Sequence, residues 1–387
     1  LKLEHPKDVL LVLVSYLPLQ GKESELKTKP TQYAVRTLNS AGLQPDIVIA
    51  RAAVPLDQKR KEKIAVNCGV AEADVISAPD VESIYDVPVN FEREDLSGRV
   101  LEKLKLTART KDLAEWRALV RTIARVKRPV RIGIVGKYFD TGSFILSDSY
   151  ISVIEAIKHA SYAVHRKPEV VWLSASDFDP HGNPQWRKNL KTLGGFHGII
   201  VPGGFGSRGV EGKIQAIRYV REHNIPYFGL CYGMQLATIE FARSIAKLAG
   251  ANTTEVDPKT PHPIIDILPE QQKNIAEKNY GATMRLGAYP ALLMPHTIAR
   301  EAYGSARISE RHRHRYEVNP DYIKRLERAG MVFSGRSPAR RLMEIAELPR
   351  SKHPFFLGTQ FHPEFKSRPL DPHPLFVAFM KAAVRRA

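Results

Sequence analysis

Four short apolar runs govern what this chain can fold into. Residues 130–135 (VRIGIV), 170–173 (VVWL), 198–201 (GIIV) and 227–230 (YFGL) are brief and mostly apolar at consecutive positions. Runs of that kind are strands covered on both faces. Helical patterns separate them. Between the first two, residues 149–164 carry apolar side chains at 151, 154 and 157, one face of a helix. Strand and helix in alternation dictate an α/β architecture with a doubly wound, mostly parallel sheet.

The first hundred residues obey the same grammar. Strand patterns at 9–14, 47–49 and 75–76 alternate with helical patterns at 31–41 and 56–66. Residues 108–129 are charged, with Leu113, Trp116, Leu119, Val120 and Ile123 at helical spacing, and they end at Pro129. The expected division is 1–107 as one α/β domain, 108–129 as a linker helix and 130–387 as a second domain. Residues 250–320 lose the periodicity and are rich in Pro and Gly, so an insertion is expected there. A chain that opens on a core strand, with Leu at position 1, is expected to be the remainder of a longer protein.

Composition narrows the partners. Two cysteines in 387 residues exclude a disulfide framework and fit a reducing, cytoplasmic setting. No apolar run reaches the length of a membrane span. The formal charge of +17 suits anionic ligands. The basic residues are spread along the chain and match no nucleic-acid-binding motif, which favours small anionic ligands over nucleic acid.

One of the two cysteines stands in Gly229-Leu230-Cys231-Tyr232-Gly233, the form of a nucleophile elbow at a strand-to-helix turn. Small residues on both sides make room for the turn, and the helix N-terminus that follows favours a thiolate. Read alone, the same stretch fits a buried structural thiol. QFHPEF places His362 and Glu364 two residues apart at the end of a strand pattern, a general base beside its orienter. VPGGFGSRGVEG, residues 201–212, follows a strand and opens a helix. Its glycines allow backbone amides to face an oxyanion, and Gly204 with the amide of Tyr232 would make a two-donor hole. The RHRHR cluster at 311–315, taken by itself, reads as a solvated basic patch.

Together these motifs resemble class I glutamine amidotransferases, with a Cys-His-Glu triad. The resemblance narrows further. GKY (136–138), ANTTE (251–255), GATMRLG (281–287) and RHRHRYEVN (311–319), with the three motifs above, resemble the CTP synthase family. So do LKTKPTQ (26–32), GLQPDI (42–47), EKIA (62–65) and DVESIYDVP (80–88), which are similar to the C-terminal part of that family's P-loop-type α/β synthetase (amidoligase) domain.

The resemblance implies an ATP-dependent amination of UTP to CTP, with ammonia drawn from glutamine. It implies Cys231 as nucleophile with His362 and Glu364. Gly204, Tyr232, Gly233, Met234, Gln235, Glu255 and Arg315 would hold glutamine, with Glu255 suited to its ammonium and Arg315 to its carboxylate. Lys27, Thr28, Lys29, Pro30, Thr31, Gln32 and Lys63 would contact UTP or CTP, and Pro79, Asp80 and Val81 would lie near ATP. Mg²⁺, GTP as activator, CTP as feedback inhibitor and a homotetramer complete the implied picture.

Three departures stand out. The family's phosphate loop and Mg²⁺-binding acids would lie upstream of Leu1, so this chain by itself is expected to act as a glutaminase. Tyr232 replaces the usual aliphatic residue after the nucleophile. Residues 139–150 are longer than the family's usual lid, which puts the GTP response in doubt. The rival readings are a stand-alone γ-glutamyl hydrolase or amidase, which leaves LKTKPTQ unexplained, and a non-catalytic nucleotide-binding scaffold, which would want a damaged triad.

Overall fold

The computed structural model describes residues 1–387 apart from 3, 22–24, 111, 138–149, 268–283 and 340. The lengthened segment 139–150 and the start of GATMRLG therefore lie outside the described residues, save Tyr150. The chain divides into two compact units, Leu1–Arg121 and Thr122–Ala387.

In the first unit three parallel strands, β1 (Val12–Leu17), β2 (Ile47–Ala52) and β3 (Val75–Pro79), form a sheet in the order β1-β2-β3. The central β2 is buried over its first four residues, as a strand covered on both faces must be. Helix α1 (Lys29–Ser40) starts two residues earlier than its apolar spacing predicts, because Pro30 fits the first turn of a helix. Helix α2 (Gln58–Cys68) is bounded by local chemistry. The Asp57 side chain accepts from the Arg60 N–H, and Gly69 closes the helix at φ 65°. Helix α3 (Ala114–Arg125) lies within the stretch expected as a linker and crosses the division between the units.

The second unit is built on a nine-stranded sheet. In chain order its strands are β4 (Pro129–Gly136), β5 (Lys167–Ser174), β6 (Gly198–Val201), β7 (Tyr227–Leu230), β8 (Arg285–Leu293), β9 (Arg307–His314), β10 (Val332–Arg336), β11 (Met343–Leu348) and β12 (Phe356–Thr359). They lie in the order β9-β8-β10-β11-β12-β7-β6-β4-β5. From β12 to β5 neighbouring strands are parallel, and from β9 to β12 they are antiparallel. Helices α4 (Ile151–Ala163) and α7 (Pro374–Arg386) supply Val153, Ile157, Phe376 and Phe379 to one apolar core. Helices α5 (Val210–Glu222) and α6 (Tyr232–Ser244) supply Ile214, Ile217, Met234 and Ile239 to another. The parallel half is thus covered on both faces.

Residues 250–320 divide between two sheets. Asn252–Thr253, Pro263–Ile267 and Tyr316–Val318 pair in a small sheet of their own, while β8 and β9 extend the large one as an antiparallel pair in register from Arg285 opposite His314 to Leu292 opposite Arg307. Gly287 and Pro290 break the apolar run of β8, and β9 has few apolar residues on either face. Along β9 burial alternates strictly, exposed then buried, so no apolar run marks it. RHRHR is accordingly not a solvated patch throughout: Arg311 and Arg313 face out, while His312 and His314 are buried.

Candidate functional site

Cys231 occupies the turn between β7 and α6 at φ 51° and ψ −97°. Such a backbone costs a non-glycine residue on the order of 1–3 kcal/mol and persists only where its surroundings enforce it. They do so here. The Cys231 N–H donates to the Thr359 carbonyl at 2.6 Å. A Cβ on Gly233 would lie 2.1 Å from the Val201 oxygen, and one on Gly229 would lie 2.6 Å from the Tyr227 hydroxyl. That hydroxyl donates to the Gly233 carbonyl at 2.9 Å. Both glycines of the elbow are therefore required by close approach.

The sulfur is nearly buried and lines a cavity of about 290 Å³ with Gly203, Gly204, Phe205, Arg313, His362 and Phe365. Its thiol donates to the Arg313 carbonyl at 3.9 Å and accepts from Gln360 Nε2 at 3.7 Å. His362 Nδ1 is 2.7 Å from Glu364 Oε1. Nε2 of His362 makes no hydrogen bond of ordinary length among the described residues, and the side-chain group that acts on it is the Cys231 sulfur. Burial alone would lower the imidazole pKa. The Glu364 carboxylate and the Cys231 sulfur beside it outweigh that and hold it well above its ordinary value.

The proximity of His362 and Glu364 has a different origin from the expected one. Strand β12 ends at Thr359, and Pro363 starts a 3₁₀ turn, Pro363–Phe365. The turn, not strand alternation, brings the two side chains together. The His362 N–H donates to the Arg311 carbonyl at 2.8 Å, which ties this turn to β9.

The expected glutamine residues separate into groups. Gly204 lines the cavity, and the Tyr232 amide opens α6, where the first N–H groups have no acceptor within the helix. Gly233 and Met234 serve packing: Met234 lies where a Cβ on Gly358 would come within 2.8 Å. Gln235 is satisfied internally, its Nε2 donating to the Tyr316 carbonyl at 2.9 Å and to Gln360 Oε1 at 3.3 Å. Glu255 accepts from the Gly206 N–H at 2.7 Å. Burial raises its pKa, against that bond and the charges of Lys137 and Arg315. Glu255 and Arg315 are thus electrostatic neighbours, though neither lines the cavity at Cys231.

Sequence reading missed Gly203, Gln360 and Phe365. A Cβ on Gly203 would stand 2.9 Å from His362 Cε1 and 3.7 Å from Cys231 Cβ, so only glycine fits between base and nucleophile. The double glycine was the available signal. Phe365 stacks on the His362 ring at 5.0 Å and 15°. Nothing local in the sequence marks Gln360 or Phe365 beyond their place in QFHPEF.

Comparison with known proteins bears on this geometry. Residues 145–382 match the family described as glutamine amidotransferase class-I, and residues 1–106 match the CTP synthase N-terminus. The CTP synthase of Thermococcus gammatolerans is 47% identical over 384 residues, covering 99% of this chain and 69% of the relative. That of Caldanaerobacter subterraneus subsp. tengcongensis is 50% identical over 380 residues, covering 97% and 67%. The chain belongs to the CTP synthase family. Among solved structures, the Trypanosoma brucei CTPS glutaminase domain with bound acivicin is similar at TM-score 0.60 and 37% identity, covering 66% of this chain and 94% of that one. The class I amidotransferase fold of the second unit is shared with it.

Residues expected to contact nucleotides in CTP synthases lie in the first unit. Lys29 and Pro30 are exposed at the start of α1, and the Thr28 side chain makes no capping bond, so the first-turn amides are not answered by it. Lys27 pairs with Glu25 at 2.5 Å, and Lys63 is exposed on α2. Thr31 is buried and accepts from the Ser15 hydroxyl at 2.9 Å, and the buried Gln32 donates to Thr28 Oγ1 at 3.2 Å. These two shape the segment from inside. Pro79, Asp80 and Val81 line a cavity of about 630 Å³ with Ile49, Arg51 and Phe91, and Arg51 pairs with Asp80 at 2.7 Å. The described residues contain no group of three or more His, Cys, Asp or Glu placed to hold a metal ion, so Mg²⁺ has no assigned ligands among them. No described helix is long and apolar enough to cross a membrane.

Proposed function

We propose that the chain hydrolyses glutamine at Cys231, and that the ammonia serves the ATP-dependent amination of UTP to CTP. The observation that carries this is the strained backbone of Cys231, φ 51°, held beside a His362–Glu364 pair 2.7 Å apart.

The Cys231 thiolate attacks the γ-carboxamide carbon and forms a C–S bond. The oxyanion is received by the amides of Gly204 and Tyr232. His362, protonated, gives its proton to the leaving nitrogen as the C–N bond breaks and ammonia departs. Water then attacks the thioester, His362 takes the proton, the C–S bond breaks and glutamate leaves. Glu364 keeps the imidazole oriented through Nδ1. Glu255 and Arg315 would take the ammonium and carboxylate of the amino acid.

In the first unit, residues 27–32 with Lys63 would bind the triphosphate of UTP or of inhibitory CTP, the two lysines adding charge to the amides of a helix start. Pro79, Asp80 and Val81 would flank ATP. The domain assignment that follows is 1–107 synthetase, 108–129 linker and 130–387 glutaminase. GTP activation and a homotetramer are proposed on the family likeness. The test is ammonia release from glutamine by the purified chain, beside Cys231→Ala. Equal rates from both proteins would overturn the reading.

A further inference from the structure

Lys213, on α5, has no exposed surface, and its Nζ has no hydrogen-bond partner among the described residues. Removing one partner from a buried ion costs on the order of several kcal/mol, so an unpaired buried amine is not expected without a use. Its surroundings indicate one. Nζ lies 5.4 Å from the centroid of the Tyr232 ring, within the range where an aromatic face attracts a cation. A Cβ on Gly204 would stand 3.8 Å from the same nitrogen and 3.7 Å from Tyr232 Cδ1. One buried amine thus sits against both residues whose amides form the proposed oxyanion hole. The next part of the glycine loop is fastened elsewhere. Lys137 donates to the Phe205 carbonyl, and the Tyr232 hydroxyl donates to the Gly206 carbonyl at 2.9 Å.

We propose that Lys213 is a positioning residue for the oxyanion hole, an inference that rests on the glutaminase reading. Its amine, packed between Gly204 and the Tyr232 ring, spaces the glycine loop from the start of α6 and adds positive potential beside both oxyanion-hole residues. Charge placed in a water-excluded site acts strongly and needs no reorganisation during reaction. Burial, and then the Lys137 ammonium, push the Lys213 pKa down to about 7. Negative charge growing on the substrate oxygen favours the protonated amine, so the stabilisation increases toward the transition state.

Lys213→Met removes the charge and keeps an unbranched apolar stem. The expected result is a fall in kcat for glutamine hydrolysis of roughly 10–100-fold, less than the loss of a direct oxyanion donor, with KM changed less than about threefold. A second readout separates this from a packing role. The Cys231 thiolate adds to the carbonyl carbon of the aldehyde analogue of glutamine, its C=O π bond opening to leave an oxyanion in the hole while the proton stays on His362, and the adduct so mimics the tetrahedral state. Its affinity should fall by the same factor as kcat/KM, while glutamate, which stays planar, binds as before. If Lys213→Met does not fold, Lys213→Gln, which fills the space with a neutral donor, is measured in the same way and should show the same split. Wild-type kcat in a folded variant, or equal weakening of aldehyde and glutamate, would overturn the proposal. A wild-type chain that releases no ammonia from glutamine would instead overturn the glutaminase reading itself.

Discussion

Gly233 and Val201 approach so closely that a Cβ on the glycine would lie 2.1 Å from the valine carbonyl oxygen. The contact joins α6 to β6, the strand that leads into the glycine loop. It fixes the height of the nucleophile above the sheet. Gly233→Ala must push helix and strand apart, and overpacking of this kind costs on the order of 1–3 kcal/mol or more. Denaturant unfolding should show the loss, with glutaminase activity falling as the elbow moves. Wild-type stability in this variant would mean that the helix relaxes without cost.

Cys231→Ala should lower ammonia release by roughly 10³-fold or more, because no thioester can form. The fold should be kept, since the side chain removed is small. A melting temperature near wild type, together with lost activity, is the expected pair of results. Residual activity near wild type would exclude Cys231 as the nucleophile.

Glu364→Gln should be milder than His362→Ala, because the first leaves a base in place and the second deletes it. The reverse order of rates would remove Glu364 from its orienting role.

The raised pKa of His362 also predicts a pH dependence of stability. Its folded value lies above the unfolded value of about 6.5. The stabilisation is therefore complete below that unfolded value and is lost as pH rises through the folded one. Unfolding free energies of wild type and Glu364→Gln should differ most at the acid end of that window and converge at high pH. A gap that is constant across it would show that His362 does not carry the proton in the folded state.

An electrophilic glutamine analogue should label Cys231 and leave Cys68 untouched, with glutamine protecting the labelled site. Cys231 lines a cavity beside a protonated His362. Cys68 is buried at the end of α2, and burial pushes its thiol pKa up. Peptide mapping reads the outcome, and label on Cys68, or unprotected label on both, would make Cys231 a structural thiol.

The residue types at Cys231, His362 and Glu364, the glycines beside them and the parallel strands of the second unit were all legible in the sequence. Each has a local cause: consecutive apolar residues for a strand covered on both faces, small residues for a tight turn, Pro363 for the end of regular pairing. Strands β8 and β9 were not legible: Gly287 and Pro290 interrupt the apolar run of β8 as turn or loop residues would, and the buried positions of β9 are mostly Glu and His rather than apolar. Four roles were decided by tertiary structure, with the double glycine at 203–204 the one trace of them in the sequence. Gly203 is glycine because His362, over 150 positions later, packs against it. Phe365 covers the catalytic imidazole, and Gln360 reaches the sulfur. Lys213 reads in sequence as an ordinary helix lysine, and only the packing of α5 against the glycine loop and Tyr232 buries its amine. Local propensity is written in neighbouring residues, whereas a side chain's surroundings depend on distant parts of the chain that only folding brings together.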